Sequence, residues 1–318
     1  MPSQRPLGVF DSGVGGLTVA REVFVQLPEE DVVYFGDTAH VPYGGRSPEE
    51  LTAFADAISS FLLQQGAKLI IDACNSTSSV ALPYLRAKYP VPFVGVVEPG
   101  VRAALRCTRN GRIGLIATEA TVGSGAHQRL AGALRPEVSV FAVACPRLVP
   151  LAEEGAVDTP EAYAALQEYL APLQAQRIDT LILGCTHYPF FAPLIRRILG
   201  PAVVLVDPAQ ETVRETARIL GARNLRAPVG RKAHSRYFVS GDPASFRRAA
   251  EKLLRWNLAS VKQVTLPQAG PGDLHCAKPC PTANPGPTVE AVNDGIARAW
   301  VLGTLSHTRR RLFRLPRR

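Results

Sequence analysis

The chain alternates short apolar runs with longer stretches in which apolar positions recur every three or four residues. Leu7–Phe10 (LGVF), Asp31–Phe35 (DVVYF), Lys68–Ala73 (KLIIDA) and Pro92–Val97 (PFVGVV) read as buried strands. Helices are expected over Leu17–Gln26 and Pro48–Gln65. The second is the better marked: Ser47 can cap it, Pro48 suits its first position, and Glu49 and Glu50 complement its positive N-terminal end. The rhythm then restarts. Arg112–Ala117, Val138–Val143, Thr180–Leu183 and Val203–Val206 are expected strands, with helices over Ser124–Leu134 and Thr159–Gln174. Beyond Asp207 the pattern gives a helix (Gln210–Leu220), a strand (Arg236–Ser240) and a helix (Pro243–Asn257). Strand–helix alternation predicts an α/β fold of mostly parallel sheets flanked by helices. Two successive rounds predict two domains, with seams near Glu98–Gly100 and Asp207–Pro208.

Ligands of parallel sheets bind beyond the carboxyl ends of the strands. Those ends are polar here. They carry Asp11-Ser12-Gly13, then Gly36-Asp37 with Pro42-Tyr43-Gly44, then Cys74-Asn75-Ser76-Thr77. In the second half they carry Thr118 and Thr121, then Cys185-Thr186-His187. Cys74 and Cys185 sit in matched contexts: an apolar strand, a small residue, the cysteine, then a hydroxyl- or amide-bearing residue. They are 111 positions apart, about one domain. A pseudo-symmetric fold would set the two thiols on opposite faces of one interdomain cleft. Inversion at a carbon needs that arrangement, since one base removes a proton from one face and one acid returns a proton to the other. A thiolate and a thiol are matched for it, because each becomes the other after one turnover. Free thiols are little ionised at neutral pH, so a base needs a helix N-terminus, a cation or a hydrogen-bond donor beside it. Asp11 and His187 are plausible proton-handling partners.

Other features read more plainly. Gly13-Val14-Gly15-Gly16 lacks full dinucleotide spacing and reads as a strand–helix turn, although its N–H groups could hold a substrate carboxylate. Cys107 and Cys145 are expected to pack as small apolar residues, and His40 and His127 to lie on the surface. His275-Cys276-x-x-x-Cys280 shows no fourth ligand and is a poor zinc site, so no metal is expected.

Composition narrows the class. Of 318 residues, 46% are hydrophobic and 20% charged, enough to bury a sizeable core. No apolar run is long enough to span a membrane and no secretory leader opens the chain, so a cytoplasmic protein is expected. Six dispersed cysteines do not suggest a disulfide framework. The net charge of +9 invites a nucleic-acid reading. Residues 309–318 hold six of the arginines and no acid, however, so the body is near neutral. No nucleic-acid partner is expected except through that tail.

Taken together, the motifs resemble those of glutamate racemases. The resemblance is carried in order by Phe10 to Val19 (FDSGVGGLTV), Tyr34 to Asp37, Val41 to Gly44, Ala73-Cys74-Asn75, Val149-Pro150-Leu151 with Glu153, and Leu183 to Pro189 (LGCTHYP). It implies cofactor-independent racemisation of glutamate for peptidoglycan synthesis, in an interdomain active site. Cys74 and Cys185 would transfer protons, assisted by Asp11, Glu153 and His187. Ser12, Pro42, Tyr43, Gly44, Asn75, Ser76, Thr118, Thr121 and Thr186 would contact the substrate. The family pattern also implies that 1–97 and 208–268 form one domain and 98–207 the other. Residues 269–318 would be a Pro/Gly-rich linker, a helix over 289–305 and the arginine tail. A homodimer is the expected assembly. His187 follows the second Cys-Thr where aspartate racemases carry an acid, which favours glutamate. Ser76 and His127 depart from the usual Thr and Tyr. A decarboxylase of this fold would keep one of the two cysteines, and both are here.

Overall fold

A computed structural model describes residues 3–267. The expected linker and helix, the arginine tail and the His275/Cys276/Cys280 group lie outside the described residues. In chain order the strands are β1 (Leu7–Asp11), β2 (Val32–Gly36), β3 (Leu69–Asp72), β4 (Phe93–Gly95), β5 (Arg112–Ala117), β6 (Ser139–Ala144), β7 (Thr180–Gly184), β8 (Val204–Val206), β9 (Ser235–Val239) and β10 (Val261–Gln263). The helices are α1 (Leu17–Gln26), α2 (Pro48–Gln64), α3 (Asn75–Val80), α4 (Leu82–Lys88), α5 (Val97–Cys107), α6 (Glu119–Ser124), α7 (Ala126–Leu134), α8 (Leu148–Glu153), α9 (Pro160–Ala175), α10 (Ala192–Leu199), α11 (Pro208–Ala222) and α12 (Pro243–Leu254). A short 3-10 helix spans Tyr188–Phe191.

Two parallel sheets result. One has the order β10-β9-β2-β1-β3-β4 and the other β6-β5-β7-β8. Both faces of each are covered, and side chains alternate between them as the pleat requires. In β5, Ile113, Leu115 and Ala117 enter one core and Ile116 another. In β3, Leu69 and Ile71 face the core under α1 and α11, and Ile70 faces the core under α2 and α4. Each of these leucine and isoleucine side chains removed from water contributes about 1.5–3 kcal/mol, which outweighs weak local propensity in strands this short. The helix starts follow side-chain chemistry. Ser47 and Glu50 form a reciprocal capping box on α2, as the sequence predicts, and Asp207 caps α11. Helix α11 touches α1 and β4 at the first sheet and α5 and β7 at the second, so it ties the sheets together.

Three expectations are corrected. The helix expected over 124–134 starts instead at Ala126, because Gly125 at φ +63° separates it from the short α6. His127 is fully buried, not on the surface, since it shares a face of α7 with Ala131, four residues on. Burial without a hydrogen-bond partner among the described residues lowers its pKa to about 4. Cys107 is exposed, because the buried stripe of α5 runs through Val97, Val101, Ala104 and Leu105 and passes beside it.

Candidate functional site

Strand ends from both sheets converge on one pocket with about 290 Å³ of open space. Ser12, Tyr43, Gly44, Cys74, Asn75 and Ser76 line it from the first sheet's loops. Thr118, Val149, Cys185, Thr186 and His187 line it from the second's. The walls touch: the Ser76 and Thr118 hydroxyls share a hydrogen bond of 2.9 Å, and the Ala120 amide donates to the Gly44 carbonyl at 2.8 Å.

Cys74 follows β3 and is the N-cap of α3, but its thiol makes no capping bond. The turn is held instead by Asp72 Oδ1, which accepts from the Cys74 amide at 3.2 Å and the Thr77 hydroxyl at 2.6 Å. Burial pushes the Cys74 thiol up, and the Asp11 and Asp72 carboxyls push it further.

Cys185 follows β7 directly and has a different neighbour. Its Sγ lies 3.8 Å from His187 Nδ1, and His187 Nε2 lies 2.6 Å from Glu153 Oε1 at the end of α8. Burial alone would lower the His187 pKa. Its contacts with Cys185 and Glu153 outweigh burial and hold it well above the usual histidine value, so the ring is cationic near neutrality. The two buried thiols thus differ: carboxyls surround one and an imidazolium abuts the other.

Asp11 stands one step behind the pocket. It accepts from the Gly13 and Gly16 amides at 3.2 and 2.8 Å and from the Thr186 hydroxyl at 3.2 Å. Burial raises its carboxyl, while His187 and these donors act against the rise. The glycine turn therefore folds around Asp11, and two of its N–H groups are committed to that carboxyl. A Cβ at Gly16 would lie 2.3 Å from Asp11 Cβ, so close packing demands the glycine. Tyr43 donates to Asp37, which also accepts from Ser240 Oγ at 2.6 Å and lies 2.8 Å from His40 Nδ1. Burial and the Asp37 carboxylate keep the Tyr43 phenol protonated.

The family model for Asp/Glu/hydantoin racemases matches residues 18–216. A glutamate racemase from Desulforudis audaxviator is 53% identical over 266 residues, covering 82% of this chain and 97% of the relative. The chain belongs to the glutamate racemase family. Racemases are isomerases, and the fold agrees with those of solved members. A Bacillus anthracis glutamate racemase has a TM-score of 0.81 at 38% identity, covering 84% of this chain and all of that one. One from Francisella tularensis, solved with D-glutamate, has a TM-score of 0.77 at 34% identity, covering 82% and 98%.

Within this racemase, ten of the residues singled out from the sequence line the pocket. Asp11, Glu153 and Thr121 stand behind the lining and reach it through Thr186, His187 and Thr118 respectively. Pro42 is exposed beside the lining residue Tyr43. Sequence reasoning missed Val149 in the lining, Asp37 behind Tyr43, and the Asp72–Thr77 pair under Cys74. A carboxylate at the end of the apolar run KLIIDA, two residues before a cysteine, was the signal available for Asp72.

Proposed function

We propose that this chain interconverts L- and D-glutamate by proton transfer between Cys74 and Cys185, without a cofactor. The observation that carries the reading is the placement of both cysteines in one pocket, each after a central strand of its own sheet. A thiolate on one wall takes the Cα proton and becomes a thiol. The thiol on the other wall donates its proton to the opposite face and becomes a thiolate. The enantiomer formed is then the substrate of the reverse step, with the roles exchanged. His187, held by Glu153, gives Cys185 the cationic neighbour that a thiolate needs. Asp11 orders Thr186 beside it and balances the imidazolium. Ser12, Tyr43, Gly44, Asn75, Ser76, Thr118 and Thr186 supply the polar contacts that would orient the substrate, with Pro42 and Thr121 in support. Glutamate is favoured by the family and by the D-glutamate bound in the Francisella tularensis relative. The reading extends to a cytoplasmic homodimer built of two domains, supplying D-glutamate to peptidoglycan.

The test is purified protein with L-glutamate in heavy water, following circular dichroism and deuterium at Cα. Optical activity should decay as solvent deuterium enters Cα. Cys74→Ser and Cys185→Ser should each slow racemisation by about 10²–10⁴-fold while keeping the fold. Normal racemisation by either variant would sink the two-thiol reading. Inert glutamate with a folded wild-type protein would redirect the search to another acidic substrate, aspartate first.

A further inference from the structure

Asp72 is fully buried at the end of β3, in a place where packing alone would ask for an apolar residue. The register sets it between Phe10 of β1 and Gly95 of β4, in the interior of the six-stranded sheet. The pleat turns it to the face of Ile70, over the core that includes Phe35, Ile58 and Leu85. A carboxyl there loses its hydration and needs hydrogen-bonding partners in return. Its partners are specific. Oδ1 receives the Cys74 amide and the Thr77 hydroxyl, and Oδ2 has no partner among the described residues. Both donors belong to the turn that opens α3, the turn that carries the Cys74 thiol into the pocket.

An N-cap side chain ordinarily accepts from the first turn of its helix. Cys74 is an N-cap whose side chain does not. The anchoring falls two residues earlier, on Asp72, and three residues later, on Thr77. The thiol at the cap is thereby left uncommitted while the backbone under it is fixed. Nothing equivalent precedes Cys185, which follows Leu183-Gly184 and is flanked by His187 instead.

We propose that Asp72, with Thr77, is a positioning residue for Cys74: it locks the turn at the start of α3 so that the thiol is aimed at the substrate carbon. This rests on the reading of Cys74 as a proton carrier. The role asks for an acceptor at Oδ1, not for a charge. Burial holds the Asp72 carboxyl well above the usual carboxylate range, so an amide of the same shape can replace it.

The test compares Asp72→Asn, Asp72→Ala and Thr77→Val in the full chain, with glutamate of each hand deuterated at Cα. L- and D-glutamate are equal in energy, so kcat/KM must fall by one factor in both directions, whichever thiol is impaired. The isotope effect distinguishes them. In Asp72→Ala, kcat should fall on the order of 10²-fold, as a misaimed proton carrier would cause. The substrate isotope effect should rise in the direction in which Cys74 is the base and fall in the other. Thr77→Val should show a weaker form of the same asymmetry, and Asp72→Asn should restore near-normal rates. General loosening of the fold would lower rates without that asymmetry. Wild-type kinetics in folded Asp72→Ala, symmetric isotope effects, or an Asp72→Asn variant as poor as Asp72→Ala would overturn the inference. If Asp72→Ala does not fold, Thr77→Val and Asp72→Asn decide it on the same readings. An active Cys74→Ser enzyme would remove the reading beneath it, whereas an inactive Cys74→Ser beside a normal Asp72→Ala would remove only the role of Asp72.

Discussion

His187 is buried, yet its contacts with Cys185 and with Glu153, 2.6 Å from its outer nitrogen, outweigh the burial and raise its pKa well above the usual histidine value. That geometry has a consequence for stability. The folded-state pKa lies above the unfolded value of about 6.5, so the protonated ring contributes its full stabilisation below that pH and loses it as pH rises through the folded value. Thermal melts across pH should therefore show wild type most stabilised over His187→Gln below pH ~6.5, with the gap closing on the alkaline side. A gap that widens with pH would contradict the assignment. At this scale the legible residues were those grouped in strand-end motifs, where several polar types fall together after an apolar run. Asp37 and Asp72 were visible as letters but not as partners, because their hydrogen bonds to Tyr43 and to the Cys74 turn depend on a fold that spacing does not specify. His127 misled for the same reason. One histidine in a short helix carries no periodic sign of the face it shows to its neighbours.

Among elements, nearly all the strands and the helices α1, α2, α9, α11 and α12 were readable, whereas α5 and the shortest helices were not. Helices α3, α6 and α8 have six residues each, under two turns, and cannot display an amphipathic period. Their positions are set by what they carry: α3 follows Cys74, α6 follows Thr118, and α8 ends at Glu153. The turn between β1 and α1 was legible as a glycine turn, but its reason was not. It exists to wrap Asp11. Gly16→Ala would drive a methyl group against Asp11 and lie 2.7 Å from the Tyr34 hydroxyl. The expected cost is about 1–3 kcal/mol in denaturant unfolding, with a fall in kcat as Asp11 moves. An alanine variant of unchanged stability and rate would show that the turn has slack.

Across the whole molecule, the parallel α/β class followed from alternation alone, and the family from the order of motifs. The order of strands within each sheet did not follow, because parallel neighbours are joined through helices and any strand can be reached. The four large cores that cover the sheets draw on residues 7–266, and the similarity to the Desulforudis audaxviator relative spans about four fifths of the chain. A chain ending at residue 268 should therefore keep its melting temperature and its racemisation kinetics. Any retention on nucleic acid by the full chain should vanish on this truncation and weaken steeply with salt, since six arginines lie in residues 309–318. Activity lost with the tail would give residues 269–318 a part in the enzyme.

The pairing of β9 with β2 also bears on how the chain is made. Strand β2 is complete at Gly36, and the strand that covers its open side begins at Ser235. A ribosome adding ~5–20 residues per second needs roughly 10–40 s to supply it. During that interval β5 to β8 emerge in full and can assemble, while the earlier sheet waits with an apolar edge unpaired. Among the described strands, those that complete the first sheet are thus the last to be synthesised, and the nascent chain is most open to mispairing while it holds both Cys74 and Cys185 but only one finished sheet.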